Sequence, residues 1–306
     1  MKGRFAPSPS GRMHLGNLFS ALLAWLDVRA AGGTLVLRIE DLDTERCTLD
    51  RARQLEEDLA WLGLDWDEGG VEQGCCQSRR SGIYAEYCRR LEAMDLVYPC
   101  YCSRSERLAA SAPHRADGAV VYSGRCVHLT AGQRAALEAR GRRGALRVRV
   151  PDERVALVDG NLGPYEQNLA RDCGDVIIRR SDGVWAYQLA VVVDDALMGV
   201  THVVRGSDLL PSAPVQSWLH RTLGFEPPEF FHVPLLLGED GHRLAKREGD
   251  LDAGSLRAQY SPRELTGLLA YWAGLLPRPE PVTPAQLAAD FSWERVTKHD
   301  IRVPGL

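Results

Sequence analysis

The hydrophobic pattern of the first forty residues predicts a strand, a helix and a second strand. Residues 4–9 indicate a short strand that runs into a turn rich in proline and glycine. Between residues 15 and 26, apolar side chains recur at the three- and four-residue spacing of an amphipathic helix, and the glycines at 32 and 33 end it. Residues 34–39 are rich in β-branched side chains, as strands are. This order predicts a βαβ unit with a right-handed crossover.

Three later segments also have clear patterns. The apolar residues 189–193 predict a strand that ends at Asp194 and Asp195, which either orient a substrate or structure a loop. Residues 127–150 contain a helix pattern that opens with a capping box. Residues 262–276 and 285–295 predict two helices near the end of the sequence, separated by a proline-rich break.

Composition and charge exclude several classes of protein. The 306 residues are 45% hydrophobic and 25% charged, as in ordinary globular proteins. This length suggests about two domains, or one elaborated enzyme domain. A net charge of −4 excludes a protein held to nucleic acid by bulk basicity, although the locally basic residues 140–149 either face RNA or form a solvated surface. No apolar stretch approaches the ~20 residues of a membrane span, so no membrane partner is expected.

The cysteines suggest a metal site. Eight cysteines without a secretory signal indicate a reducing, cytoplasmic compartment. Cys100 and Cys102 form a C-x-C pair, Cys126 follows, and thiolates at such spacing suit tetrahedral Zn²⁺. Ordinary zinc chemistry offers His114 or His128 as the fourth ligand. The alternative is that these residues are ordinary buried or surface thiols. We interpret the other five cysteines in that way.

A possible phosphate site lies before the first helix. The loop contains Ser8, Ser10, Gly11, His14 and Gly16. Free N–H groups and the dipole at a helix N-terminus favour an anion there. The alternative is a plain helix start with a surface histidine.

Several segments together resemble the class I aminoacyl-tRNA synthetases, in particular their glutamyl branch. In the order of that family, the chain contains PSPSGRMHLGN, RIEDLD, YQLAVVVDDALMGVTHVVRGSDLL and RLAKR. The resemblance covers residues 3–255 and implies an α/β fold, a Rossmann-type parallel sheet with a zinc-bearing insertion and a short helical C-terminal appendage. The implied division is a split catalytic core of residues 1–95 and 175–240, an insertion of residues 96–174, and a lysine loop with short helices in residues 241–306.

The resemblance also implies the residues of the site. Glutamate has two carboxylates and one ammonium group, so its pocket needs arginine forks and an acid. The implied glutamate-binding residues are Arg4, Phe5, Ala6, Pro7, Ser8, Glu40, Tyr187 and Arg205. The implied ATP-binding residues are His14, Gly16, Asn17 and Lys246, of which His14 and Lys246 are catalytic. ATP is expected to bring Mg²⁺, and Ala245 stands where the family often has serine. The resemblance makes Tyr122 the fourth ligand of one structural zinc ion.

The short segment after Lys246 is too small for the usual anticodon-reading domain, so none is expected. This architecture resembles the glutamyl-queuosine tRNA(Asp) synthetase family. That resemblance implies activation of L-glutamate by ATP without tRNA and its transfer to the queuosine base in the anticodon loop of tRNA(Asp). The alternatives are a short glutamyl-tRNA synthetase that charges a tRNA 3′ end, and a non-catalytic relative that binds glutamate or nucleotide. The expected partners are L-glutamate, ATP and tRNA, and the chain is expected to be a monomer.

Overall fold

Strands and helices alternate along most of the chain in the computed structural model, which describes residues 1–102, 121–122, 124–238, 241 and 252–303. The strands, in chain order, are β1 (Lys2–Phe5), β2 (Thr34–Leu37), β3 (Glu68–Gly69), β4 (Val97–Cys100), β5 (Ala145–Val148), β6 (Arg154–Asp159), β7 (Gly163–Asn168), β8 (Val176–Arg179), β9 (His202–Gly206), β10 (Glu229–Val233), β11 (Leu236–Leu237) and β12 (Ile301–Arg302). The helices are α1 (Leu15–Ala30), α2 (Leu49–Leu62), α3 (Ser81–Ala93), α4 (Ala131–Ala139), α5 (Tyr187–Leu197), α6 (Ala213–Thr222), α7 (Ala253–Gln259), α8 (Pro262–Trp272) and α9 (Pro284–Ala288).

The central sheet is parallel and has the strand order β10-β9-β1-β2-β3. The predicted βαβ unit is confirmed, because β1 pairs in parallel with β2 and α1 connects them. Both strands end earlier than predicted, at Phe5 and Leu37, although main-chain hydrogen bonds still join Arg38 to Phe5 and Glu40 to Pro7. The α/β fold with a parallel sheet is therefore confirmed.

Helix α1 lies in the main hydrophobic core. Leu15, Leu18, Leu22 and Leu26 are fully buried on it. The same core contains apolar side chains of α8 and α9, so the helices that follow residue 252 pack directly on the central sheet and on α1. The second predicted C-terminal helix is shorter than expected. In the described part of the chain, we find no helix with both the length and the apolar character to cross a bilayer.

Smaller antiparallel units lie between β4 and β8. Strands β4, β5 and β8 form one sheet, and β6 with β7 forms a hairpin. The predicted capping box opens α4, where the Thr130 hydroxyl accepts a hydrogen bond from the Gln133 N–H at 3.3 Å. The division of the chain into core, insertion and C-terminal region remains a prediction.

The strand predicted at residues 189–193 is wrong, because these residues lie within helix α5. Three consecutive valines favour a strand by intrinsic preference, but a short apolar run does not distinguish a strand from a buried helix. Here the whole run is buried, and packing overrides the preference of the valines. As a consequence, Asp194 and Asp195 lie inside a helix and not at a strand end.

Candidate active site and metal centre

The carboxyl ends of three neighbouring strands carry the predicted glutamate residues. Arg4 lies on β1, Arg205 lies on β9, and Glu40 follows β2. Because β1 lies between β9 and β2 and all three are parallel, these side chains come to the same edge of the sheet. Open α/β sheets bind ligands at this edge. The structure thus brings together three groups that are far apart in sequence.

Two arginines lie side by side at this edge. The Arg4 Nη1 donates to the carbonyl of Val204, the residue before Arg205, at 2.8 Å. Burial lowers the pKa of Arg4, the charges of Arg38 and Arg205 act in the same direction, and Asp195 opposes them. Two buried cations so close together favour an anionic ligand.

Arg205 is held by four protein partners. Its Nε donates to His232 Nε2 at 3.0 Å. Its Nη1 donates to Gln216 Oε1 at 2.7 Å and to the Tyr187 hydroxyl at 3.2 Å, and its Nη2 donates to the Leu209 carbonyl at 3.2 Å. Within the described part of the chain, these bonds occupy four of the five donors of a guanidinium group, which leaves one Nη2 hydrogen for a ligand.

Glu40 is held by Arg38, a residue that the sequence analysis did not single out. The fully buried Arg38 donates to Glu40 Oε1 at 3.1 Å and to Asp195 Oδ1 at 2.6 Å. Burial raises the pKa of Glu40, while the charges of Arg38 and Arg4 oppose this shift. The sequence signal that could have identified Arg38 is its position, since it is a charged residue directly after the apolar strand β2.

The two aspartates of α5 hold the cations of this network. Asp194 accepts hydrogen bonds from Arg80 at 2.7 Å, from Tyr84 at 2.7 Å and from Gln77 at 2.8 Å. Burial alone would raise the pKa of Asp195, but the charges of Arg38 and Arg4 outweigh it and lower the pKa. Both aspartates bind side chains of the protein, and the choice between orienting a substrate and structuring a loop stays open.

The loop after β1 runs beside Glu40. The N–H of Arg38 donates to the Phe5 carbonyl, and the N–H of Glu40 donates to the Pro7 carbonyl, both at 3.0 Å. Phe5 and Pro7 are buried, Ala6 is half-buried and Ser8 is exposed. The loop therefore holds its main chain against the main chain of Glu40.

The predicted phosphate loop leads into the N-terminus of α1. His14 is the N-cap residue, and its N–H donates to Asn17 Oδ1 at 3.3 Å. A side chain at Gly16 would place its Cβ 3.3 Å from the His14 imidazole, so glycine leaves room for that ring. No acidic residue lies in the first turn of the helix, which keeps this end favourable for an anion. Ala245 and Lys246 lie outside the described residues.

The three cysteines predicted to bind metal lie together. The Sγ atoms of Cys100, Cys102 and Cys126 are buried and within 4.8 Å of one another. The Tyr122 hydroxyl lies 3.4 Å from the Cys100 Sγ and 3.8 Å from the Cys102 Sγ. Tetrahedral zinc with bonds of about 2.3 Å separates two sulfur ligands by about 3.8 Å, and the Cys102 and Cys126 sulfurs are 3.7 Å apart. These residues fit a zinc ion.

A main-chain donor and a cation lie beside Tyr122, but burial disfavours the negative form of the Cys102 thiol. The Tyr122 hydroxyl accepts a hydrogen bond from the Cys126 N–H at 3.0 Å, and the Arg147 guanidinium lies 3.8 Å from the Tyr122 ring centre. Burial raises the pKa of Cys102 to about 12, so a bound cation would be needed to ionise this thiol at neutral pH.

Two histidines, His114 and His128, were the other candidates for the fourth zinc ligand. His128 is exposed and does not belong to the cluster. His114 lies outside the described residues.

Comparison with known proteins supports the same family. Residues 1–277 match the family of class I tRNA synthetases (E and Q), catalytic domain. A glutamyl-Q tRNA(Asp) synthetase of Symbiobacterium thermophilum is 50% identical, over 99% of this chain and 95% of the relative. Glutamate–tRNA ligase 2 of Alkalilimnicola ehrlichii is 46% identical over 88% of this chain, but the match takes in 58% of that protein.

A solved structure has the same fold. It is a glutamate tRNA ligase of Elizabethkingia meningosepticum in complex with its amino acid, with a TM-score of 0.82 and 28% identity. The match covers 99% of this chain and 66% of the ligase chain. On the family match, the near full-length identity and the shared fold, the chain belongs to the class I glutamyl and glutaminyl tRNA synthetases and, within them, to the glutamyl-Q tRNA(Asp) synthetase family.

Proposed function

We propose that the chain activates L-glutamate with ATP, without tRNA, and transfers the glutamyl group to the queuosine base in the anticodon loop of tRNA(Asp). The observation that carries the proposal is the 50% identity to a glutamyl-Q tRNA(Asp) synthetase over 95% of that relative. The cluster of Arg4, Arg205 and Glu40 at one sheet edge adds the chemistry that glutamate requires.

The charges of the pocket complement those of the amino acid. Arg4 and Arg205 provide cations for the carboxylates of glutamate, and Glu40 provides the anion for its ammonium group. Tyr187 and the Phe5–Ser8 loop complete the walls. Arg38 holds Glu40 in place, so the acid is oriented before the substrate arrives.

In the activation step, a carboxylate oxygen of glutamate attacks the α-phosphorus of ATP. A P–O bond forms, the bond to the β-phosphate oxygen breaks, and pyrophosphate leaves with the electron pair. The N-terminus of α1, His14 and Lys246 stabilise the negative charge on the phosphates, and Asn17 and Gly16 shape the loop around them. Mg²⁺ accompanies ATP and is bound mainly by its phosphate oxygens.

The cysteine cluster holds one structural zinc ion in this proposal. Cys100, Cys102, Cys126 and Tyr122 are its ligands, and four protein ligands leave no open position for a substrate. The ion therefore cross-links the end of β4 to residues 122–126. A cytoplasmic location, where ATP and tRNA are found, remains our prediction.

One observation favours a second candidate function. Because a glutamate–tRNA ligase is 46% identical over 88% of the chain, charging of a tRNA 3′ end is the alternative. The two functions differ in the acceptor and in whether activation needs tRNA.

The decisive experiment is ATP–pyrophosphate exchange on RNA-free protein, followed by transfer of labelled glutamate. We expect exchange with glutamate but not with aspartate or glutamine. We also expect transfer to tRNA(Asp) that contains queuosine, including tRNA that lacks its 3′-terminal adenosine. Transfer that requires the terminal adenosine, together with exchange only in the presence of tRNA, would favour the alternative function.

A further inference from the structure

A buried histidine and a buried aspartate lie behind Arg205 and have no role in the function proposed above. His232 lies on β10 and is fully buried, and Asp159 ends β6 and is 2% exposed. The His232 Nδ1 lies 2.5 Å from Asp159 Oδ2, and the His232 Nε2 lies 3.0 Å from Arg205 Nε. Asp159, His232 and Arg205 are thus connected in this order by hydrogen bonds between their side chains.

The chemistry of the three groups fixes the position of the imidazole proton. The Nε of a guanidinium group can only donate, so the His232 Nε2 accepts through its lone pair. The proton of the neutral ring is therefore on Nδ1, from which it is donated to Asp159. Burial lowers the pKa of His232 to about 4, which keeps this ring neutral at physiological pH.

The carboxylate of Asp159 is itself immobilised. Its Oδ1 accepts main-chain N–H bonds from Asn161 at 3.0 Å, from Leu162 at 2.8 Å and from His232 at 3.1 Å. The first two bonds form the turn between β6 and β7, and the third joins this turn to β10. Asp159 therefore cannot rotate away from the imidazole without opening the turn.

The turn is seated closely against β10. The N–H of Gly160 donates to the Phe230 carbonyl at 2.8 Å, and the Asn161 Nδ2 donates to the His232 carbonyl at 2.9 Å. A Cβ at Gly160 would lie 1.9 Å from the Phe231 ring, so only glycine allows this approach. The tip of the β6–β7 hairpin is thus packed directly behind the amino acid pocket.

We infer that Asp159 and His232 are positioning residues that orient the Arg205 guanidinium for the substrate, so that the β6–β7 hairpin sets the affinity for glutamate. The inference rests on the proposed function where it assigns glutamate to Arg205. The bond at Nε fixes the rotation of the guanidinium plane, and with it the direction of the one Nη2 hydrogen that remains for the ligand.

The test compares four variants with the wild type by glutamate-dependent ATP–pyrophosphate exchange. Asp159→Asn can donate to Nδ1 and so stabilises the wrong tautomer, and His232→Leu removes the acceptor. His232→Gln retains an acceptor near the Nε2 position. Asn161→Ala is the matched control, since it removes a side-chain hydrogen bond of the same turn but leaves the main-chain bonds to Asp159, the carboxylate and the imidazole in place. Thermal unfolding of each variant establishes that it is folded.

We expect Asp159→Asn and His232→Leu to raise the KM for glutamate about ten- to a hundredfold, the effect of one unsatisfied buried polar group. The KM for ATP should change less than about twofold, since among the described residues no contact of these three side chains reaches the phosphate loop. His232→Gln should recover most of the affinity for glutamate, and Asn161→Ala should retain the wild-type KM values. A purely structural role would instead lower activity without separating the two KM values.

An independent readout is the tautomer of His232 by nitrogen-15 NMR, assigned with His232→Gln. The wild type should show the Nδ1–H form and Asp159→Asn the Nε2–H form. An Nε2–H form in the wild type, or unchanged KM values for glutamate in Asp159→Asn and His232→Leu, would overturn the inference while the proposed function stands. Absence of any glutamate-dependent exchange by the wild type would instead overturn the proposed function, and with it the assignment of glutamate to Arg205.

Discussion

The main-chain N–H of Ala253 donates to the carbonyl oxygen of Met13 at 2.7 Å. Beside this bond, Asp252 and His14 form an isolated antiparallel bridge. The start of α7 is therefore fixed next to the start of α1, and the chain that follows the Lys246 segment returns to the phosphate loop. These contacts anchor the residues that follow the Lys246 segment to the phosphate loop of the proposed site.

Asp58 strengthens this anchor, and its removal should weaken ATP binding more than glutamate binding. Its fully buried Oδ1 lies 3.2 Å from Arg12 and 3.2 Å from Arg257, which flank the two segments. In Asp58→Asn the two arginines lose their counter-ion. We expect the free energy of unfolding to fall by about 1–3 kcal/mol and the KM for ATP to rise, as measured by urea unfolding and pyrophosphate exchange.

A matched control is Glu166→Ala, which removes an ion pair with Arg154 in which both side chains are more than half exposed. Such exposed pairs contribute about 0–1 kcal/mol. Equal losses of stability in the two variants would argue against an anchor at Asp58.

Zinc content tests the cysteine cluster. We expect one zinc ion per chain by elemental analysis of gel-filtered protein and loss of that ion in Cys126→Ser, because a hydroxyl is a much poorer zinc ligand than a thiolate. Cys88→Ser is the control, since Cys88 is equally buried but lies outside the cluster. Unchanged zinc content in Cys126→Ser would contradict the ligand assignment.

Replacement of Lys246 should affect the chemical step. Lys246→Ala should slow adenylate formation by about 10²–10³-fold, because one positioned charge that stabilises the transition state has an effect of this size. Glutamate affinity should change much less. Lys298→Ala replaces an exposed lysine and serves as the control. Single-turnover kinetics with a wild-type adenylation rate would remove Lys246 from the mechanism.

The buried His232 should contribute a pH dependence to stability. Burial lowers its pKa from 6.5 to about 4, so between these values the unfolded chain binds a proton that the folded protein does not. Stability from this group therefore falls as the pH falls, by about 1.4 kcal/mol per pH unit. A carboxyl group whose pKa is raised on folding, such as Glu40, changes the stability with pH in the opposite direction. The contribution of His232 is accordingly the difference between wild type and His232→Gln in urea unfolding at pH 7 and pH 5, and equal slopes would contradict it.

Local patterns in the sequence predict elements whose apolar residues recur at helical spacing or whose first residues form a cap. The spacing of apolar residues identified α1, and the capping box identified the start of α4. The same reasoning failed at residues 189–193, because a continuous run of buried apolar residues contains no polar positions that would reveal a helical period. Burial on all sides is decided by the rest of the fold.

The site was predictable only where a motif carries it. The resemblance identified Arg4, Glu40 and Arg205, and the structure brings them together. Their supports were not predictable, since Arg38 meets Asp195 across 157 residues of sequence. Such pairs depend on strand order, which no local pattern encodes.

Helix α4 has no buried residue, which gives it an unusual dependence on its neighbours. A nine-residue helix is marginal on its own in water. One tie between this helix and the rest of the described chain is the 2.5 Å bond between Glu138 and the hydroxyl of Tyr101, the residue between Cys100 and Cys102. If that segment loosens, the amide protons of α4 lose their protection from exchange with solvent first. The exchange rate of these amides therefore reports whether the segment that carries Cys100 and Cys102 is ordered.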